Sequence, residues 1–163
     1  MAALWYAVPG AEYPAPWPAL PEWKLRELLR RRSGAQRALS LLGYSMLADL
    51  TGADLTTLER GEFGKPRLPG GPEFSLAHTR GLVVCALAPH PVGVDVERLD
   101  APEAVEAWTA RESFGKYLGV GAQAPPPGLP VWTGRLPGGF WACVCTGRRN
   151  EAVTVRKWER EQK

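Results

Sequence analysis

The pattern of hydrophobic and polar positions predicts one strand and two helices in the first third of the chain. Residues 4–8 form a possible strand, and the proline-punctuated segment 9–21 is expected to run extended. Apolar residues then recur at helical spacing over 22–32 and, after a Ser-Gly break, over 35–50, where a Thr-Gly pair ends the second helix. The glycine- and proline-rich stretch 61–71 cannot be the interior of a regular element and is predicted to be a loop.

Strand patterns dominate the middle of the chain. Residues 74–79 form one predicted strand, and the continuous apolar run 82–88 is typical of a central strand. A Pro-His-Pro reversal at 89–91 predicts that the next strand, 92–97, lies antiparallel beside 82–88 as a hairpin. His90, on that turn, is expected to be solvent-exposed.

The strand at 92–97 carries two acids on one face. Val94 and Val96 alternate with Asp95 and Glu97, so the pleat separates the valines from the acids. One interpretation is that the valines face a core while the acids face water. The other is that the acids bind a ligand, which requires further groups to converge on them.

One helix and three strands are predicted in the last third. Residues 102–118 form the helix, because Pro102 suits its first turn and Gly119 suits its end. A proline-rich loop at 120–130 follows. Strand-like segments lie near 131–136, 139–146 and 151–158.

This order of elements predicts an α+β fold with two pseudo-symmetric subdomains, each a helix packed on a small antiparallel sheet. The N-terminal subdomain is expected to span residues 1–91 and to contain the basic helices and the 61–71 loop. The C-terminal subdomain is expected to span residues 92–163. The active site would then lie in the cleft between them.

Composition fits a folded chain of this kind. Of the 163 residues, 45% are hydrophobic, which is enough for a substantial core, and the 18 glycines and 16 prolines indicate many turns. The three cysteines are an odd number, and the Cys-x-Cys pair has no histidine nearby. We therefore predict that they are small core residues and not disulfide partners or zinc ligands.

The net charge is +3, and the positive charge is concentrated in residues 22–37, which contain six basic and two acidic side chains. The basic residues are Lys24, Arg26, Arg30, Arg31, Arg32 and Arg37. Such a cluster indicates either a phosphate-bearing or acidic partner or a solvated helix face. Nothing resembles a nucleic-acid-binding module, a signal peptide or a membrane span, so we expect a cytoplasmic protein that binds neither nucleic acid nor membrane.

Helix 102–118 is predicted to have two faces that avoid bulk water. The expected core face contains Ala107, Ala110, Phe114, Tyr117 and Leu118. Glu112 and Lys116 lie opposite and would ordinarily be a surface ion pair. Because Val105 and Trp108 share their side, however, that side is better explained as the wall of a cleft.

Such a cleft could bring Glu112 close to Asp95 and Glu97. Three convergent carboxylates repel one another unless a cation binds them, and hard oxygen ligands suit Mg²⁺. Lys116, one turn beyond Glu112, would then neutralise or protonate a bound oxyanion. This arrangement is typical of phosphoryl or pyrophosphate chemistry.

Four motifs, in their order and spacing, resemble a known family. They are "GKP" at 64–66, "FSLAHT" at 74–79, "GVDVE" at 93–97 and "WTARESFGKYLG" at 108–119. Together they resemble the 4′-phosphopantetheinyl transferase superfamily, most closely the single-chain, two-subdomain, surfactin-synthetase-activating type. The resemblance is strong over residues 64–119 and rests on element order elsewhere.

The resemblance implies roles for the acids and for one lysine. Asp95, Glu97 and Glu112 would bind Mg²⁺ beside the pyrophosphate of coenzyme A. Glu112 would also be the base for a serine hydroxyl of the carrier protein. Lys116 would contact the pyrophosphate and protonate the 3′,5′-ADP leaving group.

The resemblance also implies contacts to coenzyme A. His78 would hydrogen-bond a phosphate of coenzyme A, and Lys65 would lie beside its 3′-phosphoadenosine. Arg37 is a candidate for the 3′-phosphate by position and not by motif. Two positions depart from the family pattern, since Ala77 replaces a common serine and Arg111 replaces the usual lysine. The chain is also shorter than is usual for this type, mostly in its C-terminal half.

The implied activity is Mg²⁺-dependent transfer of 4′-phosphopantetheine from coenzyme A to a serine of an apo acyl or peptidyl carrier protein, by a monomer. Two other functions stay open. One is a coenzyme A-binding protein without turnover, although such a protein would be free to lose the candidate base and acid. The other is a Mg²⁺-dependent hydrolase of a nucleotide pyrophosphate, in which the "GKP" and "FSLAHT" motifs have no stated purpose.

Overall fold

A computed structural model of the chain describes residues 1–10, 17–30 and 33–160. The α-helices in these ranges are α1 (Glu22–Leu29), α2 (Gly34–Thr51) and α3 (Pro102–Leu118). The strands are β1 (Ala2–Ala7), β2 (Glu59–Arg60), β3 (Pro66–Arg67), β4 (Glu73–Thr79), β5 (Leu82–Ala88), β6 (Val92–Arg98), β7 (Trp132–Leu136), β8 (Phe140–Thr146) and β9 (Val153–Lys157).

The longer strands form two sheets. The first sheet has the order β4-β5-β1-β9, in which only the β1–β9 pair is parallel. The second sheet has the order β6-β8-β7 and is antiparallel throughout. The short β2–β3 ladder places the two-residue strand β3 inside the segment 61–71, which was predicted to be a loop throughout. The predicted α+β class is therefore confirmed.

The described residues form two hydrophobic cores, one between the helices and the first sheet and one between the two sheets. In one core, Met46 and Leu47 of α2 join Val83 on one face of the first sheet. In the other core, Val84 of the first sheet joins Val94 of the second. Because α3 packs on the strands β6 and β8, the layers run helices, sheet, sheet, helix.

The predicted hairpin between residues 82–88 and 92–97 is wrong. β5 is already paired with β4 on one edge and with β1 on the other. β6 instead pairs along its whole length with β8 of the second sheet. The turn at 89–91 therefore carries the chain from one sheet to the other.

The start of α2 and the ends of α2 and α3 lie where the sequence predicts them. The Ser33 hydroxyl accepts a hydrogen bond from the Gln36 amide at the start of α2, and Gly52 ends that helix with a φ of 66°. Gly119 ends α3 with a φ of 79°. Parts of the predicted extended segment 9–21 and of the first helix lie outside the described residues. Arg31 and Arg32 of the basic cluster also lie outside them.

The face of α3 that packs on the second sheet is not the predicted one. Thr109 and Ser113 are fully buried, whereas Leu118 is 42% exposed. The Thr109 hydroxyl lies 3.2 Å from the Cys143 sulfur, and the Ser113 hydroxyl lies 3.3 Å from the Cys145 sulfur. Small polar side chains therefore fill this contact, and for that reason the apolar periodicity indicated the wrong face.

Gly93 allows α3 to lie directly on β6. A Cβ at this position would collide with the Ser113 carbonyl oxygen and the Tyr117 amide nitrogen. Asp95 and Glu97 share this face of the strand, since side chains two positions apart point the same way. Val94 and Val96 lie in the core between the sheets, as predicted.

The cysteines are buried and free, as predicted. Burial raises the pKa of Cys85 to about 12 and the pKa values of Cys143 and Cys145 to about 11. Such thiols stay protonated and behave as small core side chains.

The prediction that His90 is solvent-exposed is wrong. Its side chain is only 13% exposed, and its Nε2 atom lies 2.7 Å from Glu151 Oε1. Burial would raise the pKa of Glu151, but hydrogen bonds from Thr146 and His90 hold it below the ordinary value. The acid therefore fixes the 89–91 turn to the end of β8.

No helix in the described part of the chain is long and apolar enough to cross a membrane.

Candidate active site

The predicted site residues collect along a seam where β4, at the edge of the first sheet, meets β6, at the edge of the second. The Val94 amide donates a hydrogen bond of 3.1 Å to the Ser75 hydroxyl across this seam. β4 contributes His78, β6 contributes Asp95 and Glu97, and α3 contributes Glu112 and Lys116. The site therefore combines residues from both sides of position 91.

Asp95 is the most perturbed group of the site. Its side chain is buried, its Oδ1 atom lies 3.3 Å from the Lys116 ammonium, and its Oδ2 atom has no hydrogen-bond partner among the described residues. Burial raises its pKa from 3.8 to about 6. Lys116 opposes this shift, whereas the charges of Glu97 and Glu112 add to it.

Asp95→Asn is expected to stabilise the free protein at neutral pH. Because the folded pKa lies above the ordinary value, stability is full below about pH 4 and is lost as pH rises through about 6. Asparagine resembles the protonated acid, so it should raise the free energy of unfolding at pH 7 by roughly 3 kcal/mol. Urea unfolding at pH 4 and pH 7, without Mg²⁺ or coenzyme A, measures this.

The matched control for that measurement is Asp100→Asn, which changes an exposed aspartate. The free energy of unfolding of this variant should change between pH 4 and pH 7 by as much as that of the wild type. If the free energy of unfolding of Asp95→Asn changes with pH as much as that of this control, burial of the Asp95 charge does not destabilise the protein.

Glu97 and Glu112 complete the acidic group. Thr79 Oγ1 donates a long hydrogen bond of 3.5 Å to Glu97 Oε2. Burial raises the pKa of Glu97, Thr79 and Lys116 lower it, and the charge of Glu112 raises it. The three acids are thus close enough to repel one another.

The acids fit Mg²⁺ by their chemistry. Within residues 1–10, 17–30 and 33–160, no three His, Cys, Asp or Glu side chains form a group with metal-binding geometry. Binding of a cation would therefore require the carboxylates to move together. Their oxygens are the hard ligands that Mg²⁺ prefers, and Asp95 Oδ2 is buried without a partner.

Lys65 ties the 61–71 loop to the seam. Its ammonium donates hydrogen bonds of 2.8 Å to the Val92 carbonyl and 2.9 Å to the Lys116 carbonyl. Burial lowers its pKa; the negative charge of Glu73 opposes that shift, and the positive charge of Lys116 adds to it. Lys65 therefore joins the start of β6 to the end of α3.

A cavity of about 490 Å³ opens beside Lys65 and extends between α2 and β4. His78 lines it, and the Nε2 atom of His78 lies 3.0 Å from the Ser40 hydroxyl of α2. The cationic residues that line it are Lys24, Lys65 and Lys116. Arg37, in the first turn of α2, is not among the lining residues, and its role stays a prediction.

Lys24 is the residue that sequence reasoning missed. It was counted only within the basic cluster, yet its side chain is 5% exposed and its ammonium lies 2.7 Å from Glu27 Oε1. The ammonium also lies 5.2 Å from the centre of the Tyr44 ring. The available signal was its i,i+4 spacing to Leu28, the other buried residue of α1.

A second cavity, of about 450 Å³, lies on the other side of Glu97. Its lining comprises Thr79, Glu97, Arg98, Asp100, Ala104, Val105 and Trp108. Trp108 is 50% exposed. Val105 and Trp108 therefore line the same concave surface as Glu97, and the cleft between subdomains stays a prediction.

Cations and carboxylates that could hold Mg²⁺ are groups that stabilise the charge of phosphoryl groups in enzymes. No family model matches the chain. The curated 4′-phosphopantetheinyl transferase gsp of Aneurinibacillus migulanus is 28% identical over an alignment that covers 40% of this chain. The chain spans 39% of the length of that relative. This match confirms the resemblance to the 4′-phosphopantetheinyl transferase superfamily that the four motifs indicated.

Proposed function

We propose that the protein transfers 4′-phosphopantetheine from coenzyme A to a serine of an apo acyl or peptidyl carrier protein, with Mg²⁺ and with release of 3′,5′-ADP. The observation that carries this proposal is the meeting of Asp95, Glu97 and Glu112 with Lys116, which also lines the cation-bearing cavity of about 490 Å³. The similarity to a named 4′-phosphopantetheinyl transferase supports it.

The cation-bearing cavity is the proposed site for the nucleotide end of coenzyme A. That end carries a 3′-phosphate and a pyrophosphate, which need positive charge and hydrogen-bond donors. Lys24, Lys65, Lys116 and His78 line the cavity and provide these groups. Burial strengthens their attraction for phosphate, because the dielectric constant inside a protein is lower than in water.

Mg²⁺ would be held by the carboxylates of Asp95, Glu97 and Glu112. When bound, it would supply positive charge to the pyrophosphate and lower its repulsion of an incoming serine. Lys116, which already contacts Asp95, is placed to bring its ammonium to the same anion.

Proton transfer is assigned to two side chains of α3. Glu112 accepts the proton of the carrier-protein serine as its oxygen bonds to the phosphorus that bears the pantetheine arm. The bond from that phosphorus to the bridging oxygen breaks, and Lys116 donates a proton to the departing 3′,5′-ADP. Lys116 lies one turn beyond Glu112, so both side chains extend from the same side of the helix.

Incubation with coenzyme A, Mg²⁺ and an apo carrier protein tests the proposal. Intact mass of the carrier should increase by one phosphopantetheine arm, and 3′,5′-ADP should appear in equal amount. Release of 3′,5′-ADP from an unmodified carrier would instead identify a hydrolase. Binding of coenzyme A without either product would identify a binding protein.

The proposal places the reaction in the cytoplasm and in a monomer. Both sides of the seam come from a single chain, so no second copy is needed to complete the site. Sedimentation of the purified protein with and without coenzyme A measures the oligomeric state.

A further inference from the structure

Helix α3 contacts strand β8 through two pairs of buried polar side chains. Thr109 lies against Cys143, with 3.2 Å between oxygen and sulfur, and Ser113 lies against Cys145 at 3.3 Å. All four side chains are fully buried, and none of them lines either cavity. The pairs therefore belong to the contact between helix and sheet and not to a ligand site.

The other hydrogen bonds of the hydroxyls show which group donates in each pair. The Thr109 hydroxyl donates to the Val105 carbonyl at 2.8 Å, and the Ser113 hydroxyl donates to the Ala110 carbonyl at 3.1 Å. Each hydroxyl has one proton, so its oxygen is left to accept from the thiol. Burial raises the pKa of both thiols to about 11, so each thiol has a proton to donate. Each pair thus links β8 through a hydroxyl to the backbone of α3.

The two pairs match in their spacing along the two elements. Thr109 and Ser113 are four residues apart in a helix, which is a rise of about 6 Å. Cys143 and Cys145 are two residues apart in a strand, which is a rise of about 6.8 Å, and they point to the same face. A helix held at two points cannot slide along the strand or roll on it without breaking a contact. The pairs therefore set the register of α3 on the second sheet.

This register decides where Glu112 and Lys116 point. At about 100° per residue, they are turned from the stripe of the two hydroxyls by about 80° and about 40°, in the same direction. Strand β6 lies on that side, because the Lys116 ammonium reaches Asp95 Oδ1 at 3.3 Å. Asp95 is in turn the direct partner of Cys143 in the β6–β8 ladder. A shift at the contacts between hydroxyl and thiol would therefore move Glu112 and Lys116 relative to the acids of β6.

We propose that Thr109 and Ser113, through their thiol partners on β8, are positioning residues that align the base and the acid of α3 with the carboxylates of β6. This inference rests on the proposed function, because it concerns the same reaction. The two hydroxyls are enclosed between α3 and β8 and cannot reach a ligand. Most residues that line the cation-bearing cavity lie outside α3. The effect of the hydroxyls should accordingly appear in the rate of transfer and not in the affinity for coenzyme A.

Thr109→Val and Thr109→Ser separate the hydroxyl of this side chain from its shape. Valine places a methyl group 3.2 Å from the sulfur, closer than the separation of about 3.5–4.0 Å that apolar contacts prefer. The helix must move away, and we expect kcat to fall about tenfold, since a misplacement of about 1 Å can cost about a hundredfold. Serine keeps the hydroxyl, so its kcat should match the wild type. The KM for coenzyme A should be unchanged in both variants. Intact-mass assays at several concentrations of coenzyme A measure both constants.

Thr146→Val is the matched control. Thr146 is also fully buried on β8, but its hydroxyl donates to Glu151 and not to a residue of α3. Both valine variants should unfold at lower urea concentration than the wild type, because each loses a buried hydrogen bond. Only Thr109→Val should lose kcat. An equal loss of kcat in Thr146→Val would assign the effect to stability alone.

A double variant, Thr109→Val with Cys143→Ala, tests the thiol partner. Alanine removes the sulfur against which the new methyl group would press, so kcat should rise above that of Thr109→Val. If Thr109→Val does not fold, the double variant should still fold and transfer near the wild-type rate. Losses of kcat that simply add would show that the two side chains do not act on each other.

Other outcomes overturn the inference. A wild-type kcat in Thr109→Val would show that this contact does not align the site, and a Thr109→Ser variant as slow as Thr109→Val would assign the effect to the methyl group. If the wild type binds coenzyme A but transfers nothing, the proposed function fails. The readout is then the factor by which Mg²⁺ tightens coenzyme A binding, which should fall in Thr109→Val and not in Thr109→Ser. If Mg²⁺ does not change coenzyme A binding by the wild type either, the inference and the proposed function fail together.

Discussion

Glu112→Gln is expected to lower the rate of phosphopantetheine transfer about 10²–10⁴-fold, the usual contribution of a positioned general base. Glutamine keeps the shape of the side chain but cannot accept the proton of the serine hydroxyl. It also removes one carboxylate from the group that raises the pKa of Asp95. Intact-mass assays of the carrier protein measure the rate.

Coenzyme A binding distinguishes loss of the base from loss of the site. The lysines that we propose to bind phosphate line the cavity independently of Glu112, so titration of Glu112→Gln with coenzyme A should still give measurable binding. Glu106→Gln, an exposed position on the same helix, is the matched control and should transfer at the wild-type rate. Full activity of Glu112→Gln would refute the assigned role.

Gly93→Ala is expected to cost about 3 kcal/mol or more of stability, at or above the upper end of the usual range for overpacking. The added methyl group would meet the backbone of α3 at Ser113 and Tyr117. Backbone atoms cannot rotate away as a flexible side chain can, so the helix must move off the strand. Glu112 and Lys116 would move with it, and transfer should be lost even where the variant folds. Urea unfolding and the mass assay measure the two effects.

Gly121→Ala is the control for this substitution. Gly121 follows the same helix, and a Cβ there would have no neighbour within 4 Å. Its unfolding midpoint should match the wild type within experimental error. A Gly93→Ala protein as stable and as active as Gly121→Ala would show that close contact between α3 and β6 is not required.

Local patterns in the sequence were sufficient for the type and bounds of most elements. Helix ends at Gly52 and Gly119 could be predicted because a left-handed residue after a helix favours glycine. The separation of Val94 from Asp95 followed from the period of a strand. Both inferences depend only on neighbouring residues.

Strand partners could not be predicted in the same way. The tight turn at 89–91 favoured a hairpin, yet both edges of β5 are occupied by strands from elsewhere in the chain. The buried face of α3 was also missed, because Thr109 and Ser113 pack by fitting closely and not by being apolar. Such contacts depend on the partner element, which a local pattern does not contain.

In the candidate site too, some residues could be predicted from local motifs and others only from the three-dimensional structure. Asp95, Glu97, Glu112 and Lys116 belong to motifs, and the structure brings them to one seam. The inward position of Lys24 depends on how α1 lies against Tyr44, and so only the three-dimensional structure identifies it. The second cavity likewise exists only after β4, β6 and α3 have met.

The pairing of β9 with β1 sets the order in which the molecule can be completed. Ala2 pairs with Val153, so the first strand of the chain gains its outer neighbour from almost the last. Until that segment has left the ribosome, β1 has an unpaired edge that can join another chain. The protein therefore has an interval during its synthesis in which the sheet beneath the cavity lined by Lys65 and His78 is unfinished and prone to wrong pairing.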